Sequence, residues 1–372
     1  MSMKRDLFVF SGQSNMMGAS VYAPQRQLSI KDSYEYKHKP KRLGEKEGAF
    51  VLAGYPVGEF AYTDLDLAYR ADMVNEKRES LLSNYSDNTY FCPSMSNLKS
   101  DEEKTLYPFA AFSEATARNG ATLAPFLAEE WEALGNACAY AHIAQGGVSI
   151  DYYMTDDMIA DYALRLDQYN RENGTSYDAE VPAKHRKPGA PEYFFEKCKD
   201  FFADAEAHFA ADELSNRCFF WLQGESDTKR SSAEYEIKLG VIWDRLKAIG
   251  FTHFFCIRID YFGADNIYRV MQAQEDFVSH RQDAYMLTRI ASYFTHPEQN
   301  EDEWFLSPPA EECRNCRDSF FGFQNQHVNE KGFFVIATHS VKNLYRVLVQ
   351  GEEPLLEKEN VRLLIPKNEK QE

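Results

Sequence analysis

The 372-residue chain is longer than one typical domain of about 100–200 residues, and 44% hydrophobic content with 14% aromatics excludes a disordered polymer. Its 41 basic against 58 acidic residues leave a net charge of −17, which repels phosphate backbones and anionic headgroups and so argues against nucleic acid and membrane surfaces as partners. No run approaches the roughly 18 apolar residues of a membrane span, and Leu7–Phe10 is too short for the apolar region of a secretory signal, so a soluble, cytoplasmic protein is expected. The 7 cysteines are odd in number and scattered, which does not fit a disulfide framework; Cys138, Cys218 and Cys256 lie in apolar runs and read as small core residues.

In chain order, Leu7–Phe10, Ala137–Ile143, Arg217–Leu222 and His253–Ile259 are short apolar runs, each ending at Gly, Ser, Gln or Asp. That pattern predicts buried parallel strands whose carboxyl ends open onto loops. Between them Ala124–Leu134, Phe194–Ala211 and Ala233–Ile249 carry apolar residues three and four apart, as helices covering a sheet do, and a closing helix is expected over Glu330–Leu348. Alternating strands and helices predict a three-layer α/β/α sandwich around a parallel sheet of about five strands. The stretches at about 20–108 and 152–192 do not alternate this way; both follow strand ends and read as insertions at the rim of a single domain over residues 1–350. Residues 351–372 form a charged extension.

The first strand runs into Ser11-Gly12-Gln13-Ser14-Asn15-Met16-Met17-Gly18, a strand-to-helix turn with a hydroxyl at its apex. Such a turn lifts Ser14 above the sheet beside backbone N–H groups that can stabilise an oxyanion. Read alone, Gly-x-Ser after a strand is common, and a helix-cap serine is the favoured reading of Ser14 over a nucleophile. Three further segments occupy matching places: Ala144-Gln145-Gly146-Gly147-Val148-Ser149-Ile150 after the second strand, Trp221-Leu222-Gln223-Gly224-Glu225-Ser226-Asp227 after the third, and His327 opening the last helix. Gly146-Gly147 can also be a plain strand-exit turn.

Together the four segments resemble the sialate O-acetylesterase-like branch of the SGNH hydrolases, including carbohydrate esterase family 6; the likeness covers roughly residues 4–18, 119–152 and 200–348. The resemblance implies an SGNH-type, flavodoxin-like fold with Ser14 as nucleophile and His327 as general base. It also implies oxyanion donors at Ser14, Gly146 or Gly147 and the Gln223 amide. The expected activity is hydrolysis of an acetyl ester on a carbohydrate hydroxyl through an acyl-enzyme, with no cofactor or metal and a small acetylated carbohydrate as partner. The family commonly carries Asp three residues before the histidine, where this chain has Gln324. In the resemblance some relatives use the Glu of the W-x-Q-G-E-S-D segment as the acid, so Glu225 is the first expectation, ahead of Asp227, Asp318 and Glu330. A structural carboxylate bonded to the Gly12–Ser14 backbone is the competing reading, and a sugar-binding protein that has lost turnover is the rival function. Gln13, Asn15, Tyr152, Tyr153 and Arg269 are expected to face substrate. Arg269-x-x-Gln272 can equally be a solvated helix face, and His142 a core histidine. Cys313-x-x-Cys316 with His327 and His339 has histidines 12 apart, far from common zinc spacing.

Overall fold

The computed structural model describes residues 4–17, 49–53, 107–111, 123–145, 147–186, 188–259, 266–291, 328 and 330–356. Strands β1 (Arg5–Gly12), β2 (Ala49–Ala53), β3 (Tyr107–Ala111), β4 (Ala137–His142), β5 (Leu214–Leu222), β6 (His253–Ile257) and β7 (Ala284–Thr288) form one sheet in the order β3-β2-β4-β1-β5-β6-β7. Every pairing is parallel except β2 with β3. Helices α1 (Ser14–Met17), α2 (Leu123–Ala133), α3 (Asp156–Asn173), α4 (Ala190–His208), α5 (Ser232–Ala248), α6 (Ile267–Ser279) and α7 (Glu330–Tyr345) flank it.

Strand alternation sorts the aromatic residues into two layers. On one face Phe8 and Phe10 meet Phe220, at 5.0 and 4.5 Å between ring centroids, and Phe8 lies 6.0 Å from Trp131 of α2. Trp131 in turn lies 6.3 Å from Tyr345 of α7, so α2 and α7 cover this side. On the other face Phe219 packs on Phe194 of α4, and Phe254 on Trp243 of α5 and Phe277 of α6. Apart from the half-buried Tyr345 these rings are fully buried, each contributing roughly 1.5–3 kcal/mol by leaving water. Cys138, Cys218 and Cys256 are buried among them, as their apolar settings imply.

The three-layer α/β/α sandwich is thus as the alternation predicts, and the expected five-strand core is β4-β1-β5-β6-β7. The correction lies at one edge: β2, from within the stretch read as an insertion, and β3, at its end, extend the sheet to seven strands. The stretch at 152–192 likewise holds α3, whose Met158, Tyr162 and Leu166 form a buried stripe four residues apart. Thr155 precedes this helix, and Gly174, in left-handed conformation, ends it.

Gly12 is where the sheet opens into the site. Its φ is +149°, and a Cβ there would lie 1.9 Å from the Leu222 carbonyl oxygen. Gln13 N donates to that same oxygen at 3.1 Å, so neither the glycine nor the β5 backbone can shift without breaking the turn. Gly12→Ala is expected to cost roughly 3 kcal/mol or more in a denaturant titration. A loss below about 1 kcal/mol would mean that the β1–β5 register yields easily.

Candidate active site

Three adjacent strands deliver their carboxyl ends to one rim: β1 gives the Ser14 turn, β4 the Gly147 turn, and β5 the segment Gln223–Asp227. Gln145 N donates to Gly12 O at 3.0 Å, which sets the β4 exit against the β1 exit. Ser14 is half-buried at the start of α1, and Gly147 is exposed with φ +69°, a conformation that favours glycine.

Asn15, buried one residue after Ser14, joins two distant parts of the chain. Its Nδ2 donates to Glu225 Oε1 at 2.7 Å, and its Oδ1 accepts from the backbone N–H of Val328 at 3.0 Å. One amide therefore holds the β5 loop and the approach to α7 against the Ser14 turn across up to 313 positions of sequence. Glu225 Oε2 is buried and has no hydrogen-bond partner among the described residues. Burial pushes the Glu225 carboxyl up to about 7, against the lowering effect of the Asn15 amide. One carboxylate oxygen is thus anchored, and the other is left to accept from a donor brought to it.

Several sequence-predicted roles meet a different geometry. Asn15 has both ends of its amide engaged by protein, which removes it from the substrate-facing set. Gln13 is buried, and its Oε1 accepts from Gln223 Nε2 at 3.2 Å and from Ser226 N at 3.3 Å. Gln223 Nε2 also faces Val148 O at 3.1 Å and Asp227 Oδ2 at 2.6 Å, while its Oε1 accepts from Tyr235 at 2.8 Å. Three acceptors surround two amide hydrogens, so Gln223 ties the loops together and has none to spare for an oxyanion. Tyr153 is fully buried, donates its hydroxyl to Gly12 O, and sits 5.1 Å from both Phe194 and Trp221. Tyr152 is buried beside it, so both rings belong to the core beneath the rim and do not wall a cleft.

Arg269, half-buried in the first turn of α6, stays close to the rim: a Cβ on Gly224 would lie 2.5 Å from the next residue, Val270. Gln272 Nε2 donates to Asp276 of the same helix at 2.7 Å, as a helix-face pair does. Gly146, Cys313, Cys316, Gln324 and His327 lie outside the described residues. Among the described residues no group of His, Cys, Asp and Glu has the arrangement to hold a metal ion, and no helix is long and apolar enough to cross a membrane.

Behind the rim lies a buried cluster of charges that the sequence reading missed. Asp227 accepts from Ile150 N at 2.9 Å, from Arg230 Nε at 2.7 Å and from Gln223. Arg230 Nη2 also donates to Asp151, whose other oxygen accepts from Lys238 Nζ at 2.6 Å. His185 Nδ1 is 3.2 Å from Asp151 Oδ2, and Lys238 Nζ is 4.5 Å from the centre of the Tyr162 ring. Burial would raise the Asp151 carboxyl, but Lys238 and Arg230 more than reverse this and hold it below the usual range. Burial lowers the Lys238 ammonium despite Asp151, and raises Asp227 despite Arg230. The available signal was Asp151 within Val148-Ser149-Ile150-Asp151-Tyr152-Tyr153 and Lys238 within Ile237-Lys238-Leu239, charges set in apolar runs.

The fold and rim define an α/β/α sandwich with its candidate site at the carboxyl ends of the central strands. No protein-family profile matches the chain, and no curated protein does. Among solved structures it is similar to a carbohydrate acetylesterase from Xanthomonas citri, at 10% identity and TM-score 0.46 over 93% of this chain and 57% of that one. A protein from Arabidopsis thaliana is similar at 10% identity and TM-score 0.44, over 93% of this chain and 99% of that one. NanS is similar at 12% identity and TM-score 0.42, over 93% and 98%. The chain thus spans just over half the length of the Xanthomonas protein and nearly all of the other two.

Proposed function

We propose that this chain is a serine esterase that removes an acyl group, acetyl foremost, from a carbohydrate hydroxyl. The observation that carries the proposal is the Asn15 bridge, because it gathers the Ser14 turn, Glu225 and the chain at Val328, next in sequence to His327, at one rim. In the proposed course His327 takes the Ser14 proton as Oγ attacks the ester carbonyl, and the tetrahedral oxyanion is met by backbone N–H groups of Ser14 and of Gly146 or Gly147. Collapse breaks the bond from the carbonyl carbon to the sugar oxygen, which takes the proton from His327 and leaves as a hydroxyl. Water, with His327 again as base, then releases the acid and frees Ser14. Glu225 holds the imidazole tautomer and offsets the charge of the imidazolium. The carbohydrate preference rests on the resemblance of the motifs and not on the site's chemistry.

A fluorophosphonate probe tests the nucleophile directly, since only an activated serine displaces its fluoride. Intact mass and peptide mapping are expected to show one adduct, on Ser14, absent from Ser14→Ala. A wild-type protein that stays unlabelled, or is labelled elsewhere, sinks the proposal and favours the sugar-binding reading that Gln324 motivates.

A further inference from the structure

The charge cluster behind the rim joins the segments that carry the candidate chemistry. Asp227, within β5's exit, accepts from Gln223 and Arg230 of its own loop and reaches across to Ile150 N in the Gly147 turn. Through Gln223 the same contact extends to Val148 O and to Gln13, the residue before Ser14. Asp151, at the far end of the Gly147 turn, is held by Arg230 and Lys238, with Ser149 Oγ at 3.4 Å and His185 at the more exposed edge. Asp151, Asp227 and Lys238 are almost completely buried and Arg230 nearly so. The two carboxylates and two cations balance. Four buried charges are a poor way to gain stability, because well-packed apolar residues would do as well; their directional bonds instead fix where each segment lies.

We propose that Asp227, Arg230, Asp151 and Lys238 act as a positioning lock that holds the Gly147–Ile150 turn in register with the Ser14 turn, and thereby sets the rate of ester hydrolysis. The catalytic part of this rests on the esterase reading above. The lock touches no reacting atom. Its effect passes through the backbone of residues 147–150, where misplacement by about an ångström weakens stabilisation of the transition state more than ground-state binding.

The test uses Asp227→Asn and the charge-balanced double variant Asp227→Asn/Lys238→Met. The double variant leaves one buried anion with one cation, so it reports even where the single variant does not fold. Turnover of p-nitrophenyl acetate well below the melting temperature is expected to fall about tenfold or more in kcat, with KM within about twofold. Hydrogen exchange in peptides covering residues 147–152 is expected to rise about tenfold, while peptides of β1 and β5 stay protected. A lowered melting temperature with kcat and exchange at 147–152 unchanged overturns the lock and leaves a scaffold. If the wild type shows neither turnover nor Ser14 labelling, the esterase reading fails, and the exchange measurement then decides the positional claim alone: a rise at 147–152 supports it, no change overturns it.

Discussion

Ser14→Ala is expected to reduce p-nitrophenyl acetate hydrolysis by at least about a thousandfold, to near the rate in buffer, with the melting temperature almost unmoved. The asymmetry follows from position. Ser14 is half-buried in a turn whose geometry is fixed by Gly12, by Gln13 N on Leu222 O and by Asn15, so the hydroxyl can be lost without disturbing the supports. Paired kinetics and thermal melts of the two proteins check this. A variant retaining more than a tenth of the wild-type rate would place the reaction on another group. If neither protein turns over ester, calorimetric titration with an acetylated sugar separates a binding protein from one that recognises something else.

That the strand-to-helix turn at Ser14 was legible in the sequence, while its supports were not, has a physical basis. Leu7–Phe10, Ala137–Ile143, Arg217–Leu222 and His253–Ile259 announce themselves because strands buried on both faces must be apolar throughout. β3 contains Pro108, which argues against a strand in isolation, and it is tolerated at the sheet's antiparallel margin. α3 hid behind its polar majority, since only a four-residue stripe of Met158, Tyr162 and Leu166 faces inward. At the site, side-chain type does not reveal direction. Asn15 and Gln223 carry the polar groups that a substrate would want, and the fold spends them on its own loops. Tyr152 and Tyr153 follow a glycine turn, as a sugar platform might be imagined to do, but the sheet draws them under the rim because Gly12 O and the Phe194 and Trp221 rings lie there. The Asp151–Lys238 pair spans 87 positions, and no local pattern encodes a partner so distant.

Glu225→Gln is the substitution on which the triad reading turns. Burial lifts this carboxyl from an ordinary 4.5 to about 7, so below pH 4.5 both folded and unfolded chains hold the proton and the group costs nothing. Between 4.5 and about 7 the folded chain keeps a proton that the unfolded chain has released, so stability falls as pH rises; above that the loss is complete at about 3 kcal/mol. Gln carries no such dependence. The variant is therefore expected to match the wild type in denaturant titrations at pH 4 and to gain on it progressively up to pH 8. Catalysis runs the other way. In the proposed triad the imidazole needs an ionised partner, so wild-type kcat/KM is expected to climb with pH through about 7 as Glu225 gives up its proton. Glu225→Gln keeps an acceptor for Asn15 Nδ2 but has no charge to set against the imidazolium, and its kcat is expected to fall about a thousandfold with that ascending limb flattened. Gln324→Ala, by contrast, is expected to stay within about threefold of wild type, since an amide contributes no charge in the first place. Should Glu225→Gln keep its turnover and lose stability at pH 8, the carboxylate is a scaffold group after all, and Ser14 and His327 work without an acid.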